Sequence, residues 1–222
     1  MASSTDAKTI IDKASLLLAD VSKSFWLASE LLGWLNDGQY EIAISSPNAC
    51  SVTEVINLVA GAKQSAPSKS IRLVEFVRNM GVSGAAPGNA IRQVERKVMD
   101  RYAPNWSYDN PDPVVVHVMH NAEDDNATFY VWPPQPATPA YIEVIYSRAP
   151  AIIPDSSVGT KITISDYYQN PLLDYVLYRA LGRGTEDTGN YQRSQDHYQR
   201  FAKTVGIKLN DDRNANNSGP AK

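Results

Sequence analysis

Residues 161–181 read KITISDYYQNPLLDYVLYRAL, and the parsing of this stretch decides the fold. Its opening residues close a strand-rich region. Its later ones place Leu172, Leu173, Val176, Leu177 and Ala180 at helical spacing, the mark of one apolar face. Between them, Asn170 and Pro171 form a start signal: a capping side chain, then a residue whose missing N–H is harmless at the first helical position. The chain therefore returns to helix over about 171–182. Gly182 and Gly184 end that helix, and Thr185 caps a last one to about 205. Its apolar edge is Tyr191, Tyr198, Phe201 and Val205.

Working outward, the N-terminal region is also helical. Ser3, Ser4 and Thr5 offer N-caps to a helix over about 6–20, with Ile10, Ile11, Ala14, Leu17, Leu18 and Val21 as its stripe. A second helix, about 27–44, turns Leu31, Leu35 and Ile42 inward, widened by Leu32 and Trp34. Gly33 and Gly38 inside it each cost ~1 kcal/mol against alanine, which suggests another backbone pressed close. Pro47 stops it.

Between the helical ends the texture is that of strands. SVTEVINLVAG (51–61) and SIRLVEFVRNMG (70–81) alternate apolar with polar around KQSAPSK and read as a hairpin, although the first arm also suits a helix. IRQV adds a short strand and ERKVMDRYA a short helix ended by Pro104. VVVHVMHN, ATFYVWPP and AYIEVIYSRAP supply three more strands, for an antiparallel sheet rolled into a small sandwich or barrel. The expected class is α+β: N- and C-terminal helices forming one bundle around an inserted β module. The segments are 1–48, 49–164, 165–207 and a flexible polar tail, 208–222.

With 43% apolar and 20% charged residues, the 222-residue chain suits an ordinary globular protein. A net charge of −3 and the lack of any Lys/Arg run argue against tight nucleic-acid binding. Cys50 stands alone among Ala49, Ser51 and Val52, with no charge to activate it, and reads as a structural thiol. The first 25 residues show no secretory pattern, and no apolar run approaches a membrane span.

Catalytic chemistry finds little foothold. His117 and His120 fall on opposite faces of a strand, and His197 is remote, so no metal site is expected. The acidic run Glu123-Asp124-Asp125-Asn126 lacks calcium-loop spacing and suits a hairpin turn. GVSGAAPG has neither a P-loop lysine nor a dinucleotide fingerprint. Asp37 and Glu41, one helical turn apart, have the spacing of a glycosidase acid/base pair, but an exposed helix face is the commoner reason for such a pair. No cofactor is called for.

Several runs, in order, carry a resemblance: ELLGWLNDGQYEIAISSPNA (30–49), LVAGAKQS, IRLVEFVRNMG, NAIRQVERKVMDRYAPNW, FYVWPPQP, EVIYSRAP, ITISDYYQNPLLDYVLYRAL and HYQRFAKTVGIK. Together, over about residues 8–208, they resemble head–tail adaptor (connector) proteins of short-tailed bacteriophages. Leu27, where a proline or polar residue is expected, and Pro171, where the helix is usually continuous, depart from the pattern.

The resemblance implies a non-enzymatic, ring-forming virion protein of the neck, assembled in the host cytoplasm without a membrane. Its partners would be the portal, the tail nozzle or tubular protein, and further copies of itself, twelve to match the portal. Genomic DNA would pass through the ring without being held. It implies portal contacts from the last helix and tail, here Tyr198, Phe201, Ile207, Lys208, Leu209, Asn210 and Arg213. Asp37, Glu41, Trp132 and Tyr141 are the expected subunit or nozzle contacts. The rival readings are a nozzle or gatekeeper component, and a wall-degrading enzyme built on Asp37 and Glu41.

Overall fold

The computed structural model describes residues 4–121, 126–155, 159–183 and 188–207. Helices α1 (Ala7–Leu17), α2 (Ala28–Ser45), α3 (Arg96–Tyr102), α4 (Gln169–Gly182) and α5 (Thr188–Val205) accompany seven strands. These are β1 (Ser51–Asn57), β2 (Gly61–Ser65), β3 (Ser70–Asn79), β4 (Arg92–Gln93), β5 (His117–Met119), β6 (Thr128–Gln135) and β7 (Tyr141–Arg148), so the chain is mixed α and β. It divides into two compact units, Met1–Ser46 with Ala151–Lys222, and Pro47–Pro150.

In the helical unit, α1 buries Ile10, Ile11 and Ala14, and α2 buries Leu31, Leu32, Leu35 and Ile42. Leu17 and Val21, expected in the α1 stripe, are exposed. The helix ends at Leu17, and the chain turns away through Ala19 at a left-handed φ of 56°. Helix α4 begins at Gln169, two residues earlier than the Asn170-Pro171 signal indicated, after a 3-10 turn at Asp166–Tyr168. Pro171 lies buried in its first turn, where amide groups have no intrahelical partner, so the helix is not interrupted.

Helix α5 lies on α4 through an aromatic ladder. Ring centroids are 5.8 Å apart for Tyr175–Tyr178, 4.9 Å for Tyr178–Tyr198 and 5.0 Å for Tyr175–Phe201. Beside it, His197 Nδ1 meets Asp174 Oδ1 at 2.8 Å, and the Ser194 hydroxyl donates to the Tyr178 carbonyl at 2.8 Å. Tyr191, counted in the apolar edge from its spacing, is exposed.

Residues 151–164, grouped with the strands by sequence, belong to the helical unit. Lys161 forms a β-bridge with Asp6, the Ala7 amide donates to the Thr160 carbonyl at 2.8 Å, and Ile162 donates to Thr5 at 3.0 Å. The hydroxyl and amide of Ser4 and the amide of Thr5 all donate to the Asp166 carboxylate, so neither residue caps α1.

The glycines of α2 differ. A Cβ on Gly38 would lie 2.9 Å from the Tyr175 ring and 3.2 Å from Leu172, whereas one on Gly33 would meet nothing within 4 Å. The close neighbours of Gly38 are side chains, and Gly33 has none. Gly33→Ala is therefore expected to raise stability by ~1 kcal/mol, the helix-propensity difference. Gly38→Ala is expected to lower it by about 1–3 kcal/mol through overpacking. Urea denaturation of the two variants gives both signs.

In the strand unit, one sheet has the order β1-β7-β3 and the other β2-β6-β5-β4; every pairing is antiparallel except β4 with β5. Both sheets contribute to one core of Phe76, Val118, Phe129, Val131, Val144 and Tyr146. A second cluster packs Met99 of α3 and Trp106 against the opposite face of β6. The hairpin expected from 51–61 and 70–81 does not form. Its arms β1 and β3 pair with opposite edges of β7, and GAKQS, read partly as the turn, is strand β2 of the other sheet. Alternation identifies a strand and its buried face but not the partner, which here arrives 63 to 96 residues later (Asn79↔Ile142 to Ser51↔Ser147).

Candidate assembly surface

The sequence NDGQYE (36–41) sits on α2, and the structure separates its polar side chains into two roles. Asn36 brackets the backbone of Ile153, donating to its carbonyl and accepting from its amide, both at 3.0 Å. Gln39 is fully buried; its Oε1 accepts the Thr163 amide at 2.7 Å and the Thr163 hydroxyl at 3.0 Å. These two carboxamides fasten the 153–163 segment to α2.

Asp37 and Glu41 lie on the exposed side of the helix. Asp37 faces the Arg179 guanidinium at 3.4 Å, and that guanidinium also donates to the Tyr175 hydroxyl at 3.1 Å. Two turns earlier, Glu30 takes Arg183 through both carboxylate oxygens, at 2.8 and 2.6 Å. The result is a row of acid–base pairs between α2 and α4. Asp37 is thus engaged with a cation of α4 rather than with Glu41.

Beside this row the α1–α2 connection exposes an apolar cluster. Leu16, Leu17, Val21, Phe25 and Leu27 are each more than half exposed. The loop beneath them is tightly specified. The Asp20 carboxylate accepts the amides of Ser24, Phe25 and Trp26 at 2.9–3.0 Å, and these bonds hold its proton affinity far below the usual carboxylate range. Trp26 Nε1 donates to the Ala180 carbonyl at 3.1 Å, and the Arg183 guanidinium lies over the Phe25 ring. Ala19 and Lys23 both adopt left-handed backbone angles, each costing about 1–2 kcal/mol. Of these five, Leu17 and Val21 were expected in the buried stripe of α1, and Leu16 and Phe25 entered no sequence pattern.

The remaining expected contact residues scatter. Phe201 is 1% exposed within the α4–α5 ladder, Tyr198 and Ile207 are half-buried, and Lys208, Leu209, Asn210 and Arg213 lie outside the described residues. Thr185, Gly184 and the acidic residues 123–125 are likewise outside them. Trp132 and Tyr141 are both half-buried but belong to different sheets. Trp132 stacks on His117 at 5.6 Å and donates to Asp109 at 3.3 Å; Tyr141 packs under Gly84.

Among the described residues no three of His, Cys, Asp and Glu converge on a metal-sized site, and no helix is long and apolar enough to cross a membrane. Burial pushes the Cys50 thiol up to about 11, which keeps it protonated and unreactive at neutral pH.

The ion pairs between α2 and α4 and the exposed apolar side chains of the α1–α2 connection both belong to the helical unit. The chain belongs to the SU10 adaptor protein family, whose profile matches residues 5–222. That family consists of structural phage adaptors, not enzymes, and its membership makes this chain a virion component. No curated protein matches the chain.

Proposed function

We propose that this protein is the head-to-tail adaptor of a short-tailed phage, assembling as a twelve-copy ring beneath the portal. The ring joins the portal to the tail nozzle and lines part of the channel through which DNA leaves. The observation that carries this reading is the family match over residues 5–222, which spans both compact units. The helices of the terminal unit act as one bundle facing the portal, with Tyr198, Ile207 and the 208–222 tail as its anchors. The polar composition of that tail suits a segment that orders only on docking. Asp37, Glu41, Trp132 and Tyr141 supply neighbour or nozzle contacts, and each subunit interface buries more than about 1,200 Å².

Mixing the purified chain with the portal ring of the same virus is expected to give a co-sedimenting complex with twelve-fold class averages in the electron microscope. Deleting residues 209–222 is expected to leave the far-UV circular dichroism intact and abolish co-sedimentation. A six-fold ring, or undiminished docking by the deletion variant, would overturn the corresponding claim.

A further inference from the structure

Strand β1 is the outer strand of its sheet, paired only with β7. The Leu58 amide bonds the Ala140 carbonyl, so in the unbroken register of β1 on β7 the amides of Val52, Glu54 and Ile56 point inward. Those of Thr53, Val55 and Asn57 point away from the sheet, and among the described residues they meet no acceptor. The strand is seven residues long and rich in β-branched side chains; it contains no proline, lysine or bulge. Its one charge, Glu54, turns onto the Tyr146 hydroxyl and Arg148. Unprotected edges of this kind are strand acceptors.

The other edges of the unit are blunted. β3 has three register shifts, and its far end is covered by the backbone of Asn89 and Ile91. β2 is bulged between Gly61 and Lys63, and β4 is two residues long. The contrast singles out β1.

A groove of about 480 Å³ runs beside it, walled by Glu54 and Ile56 on one side and by the Pro67–Lys69 turn on the other. The Ser70 amide donates to the Pro67 carbonyl at 3.0 Å, and Lys69 occupies the left-handed position of this turn, φ 68°, where glycine is the unstrained residue. The Lys69 ammonium is exposed and meets no carboxylate among the described residues, while the Arg148 guanidinium is half exposed. With Glu54 already engaged, the groove presents an uncompensated positive charge. Val52, Ile56 and Ala66 leave the core partly open along this edge.

We propose that β1 accepts an extended strand from a different protein of the assembly, adding it to the β1-β7-β3 sheet, with a carboxylate side chain of that strand seated against Lys69 and Arg148. Main-chain bonds to Thr53, Val55 and Asn57 give the affinity, and the groove reads alternate side chains. A second copy is the poorer occupant, because its own β1 brings only Glu54, which is committed to Arg148, and its other edges are bulged or short. The proposal rests on the adaptor reading for the existence of such a neighbour, but strand addition itself is tested without the portal.

The probe is a capped nine-residue peptide of alternating threonine and valine with a central glutamate, titrated into the isotope-labelled full chain. At saturation the Thr53, Val55 and Asn57 amides are expected to exchange at least about tenfold more slowly with solvent. A central-lysine peptide is expected to bind about five- to tenfold more weakly, and Lys69→Glu to reverse the preference. Val55→Pro, which removes only an outward amide and is tolerated on an edge strand, is expected to abolish binding. Lys69→Glu keeps the test valid should Val55→Pro unfold. Unchanged exchange at the three amides, equal binding of both peptides, or protection that grows with protein concentration alone would overturn the proposal. Loss of peptide binding with portal docking retained would leave the adaptor reading standing; the converse would leave the edge site standing.

Discussion

Phe201→Ala is expected to destabilise the helical unit by about 3–5 kcal/mol, the cost of deleting a fully buried aromatic side chain from a packed site. Phe201 rests on Tyr175, which itself fills the space left by Gly38, so the loss spreads from α5 through α4 to α2. Urea unfolding followed by far-UV circular dichroism measures the change. Tyr191→Ala, on the exposed side of the same helix, is expected to stay within about 0.5 kcal/mol of the parent. A small effect at Phe201 would mean that α5 does not pack on α4 in solution, and would return the residue to the list of contacts a partner could reach. Because the chain has two compact units, the transition attributed to the helices is the one that carries the helical signal.

Gln39→Ala is expected to cost roughly 2–4 kcal/mol, combining a cavity with donors left unpaired. The damage has a local signature. The Thr163 amide, which donates to Gln39 Oε1, loses its protection from hydrogen exchange, while the Ile162 amide, bonded to Thr5, keeps most of its own. Equal loss at both amides would show that the segment is released as a whole and that Gln39 is not its particular fastening.

Asn36 and Gln39 also show how far the sequence could be read. Helical spacing reports which face a residue occupies and not what crosses it, so their roles cannot be read from α2 alone. Their partners, Ile153 and Thr163, lie more than 100 residues away, and no local pattern links them. The helices themselves were legible, since Leu31, Leu35 and Ile42, and Leu172, Val176 and Ala180, repeat at helical spacing and are buried as expected. Strands β6 and β7 were legible from their period-two alternation, which their burial follows. The partnership of β1 and β3 with β7 was not, because apolar alternation is equally satisfied by any neighbour. Gln64 hid β2: buried in a strand, it bonds both the amide and the carbonyl of Val59, a use of glutamine that composition reads as a turn. Asp37 and Glu41 are exposed on α2, as an outward helix face requires, whereas Leu17 and Val21 were assigned to a core that ends before them.

The fastening of α2 to residues 153–163, and of Ser46 to the Val205 carbonyl at 2.9 Å, has a consequence for synthesis. When α1 and α2 leave the ribosome, the chain that will cover Leu31, Leu35 and Ile42 does not yet exist. The whole strand unit must emerge before α4 can reach them. Contacts so distant in sequence slow closure and leave a nascent chain with greasy helices in search of a cover. The strand unit, by contrast, is one continuous segment and can fold as soon as residue 150 is free, before the last helices are made. The order of folding is thus expected to follow the topology: the middle of this protein matures first, and its two ends finish together.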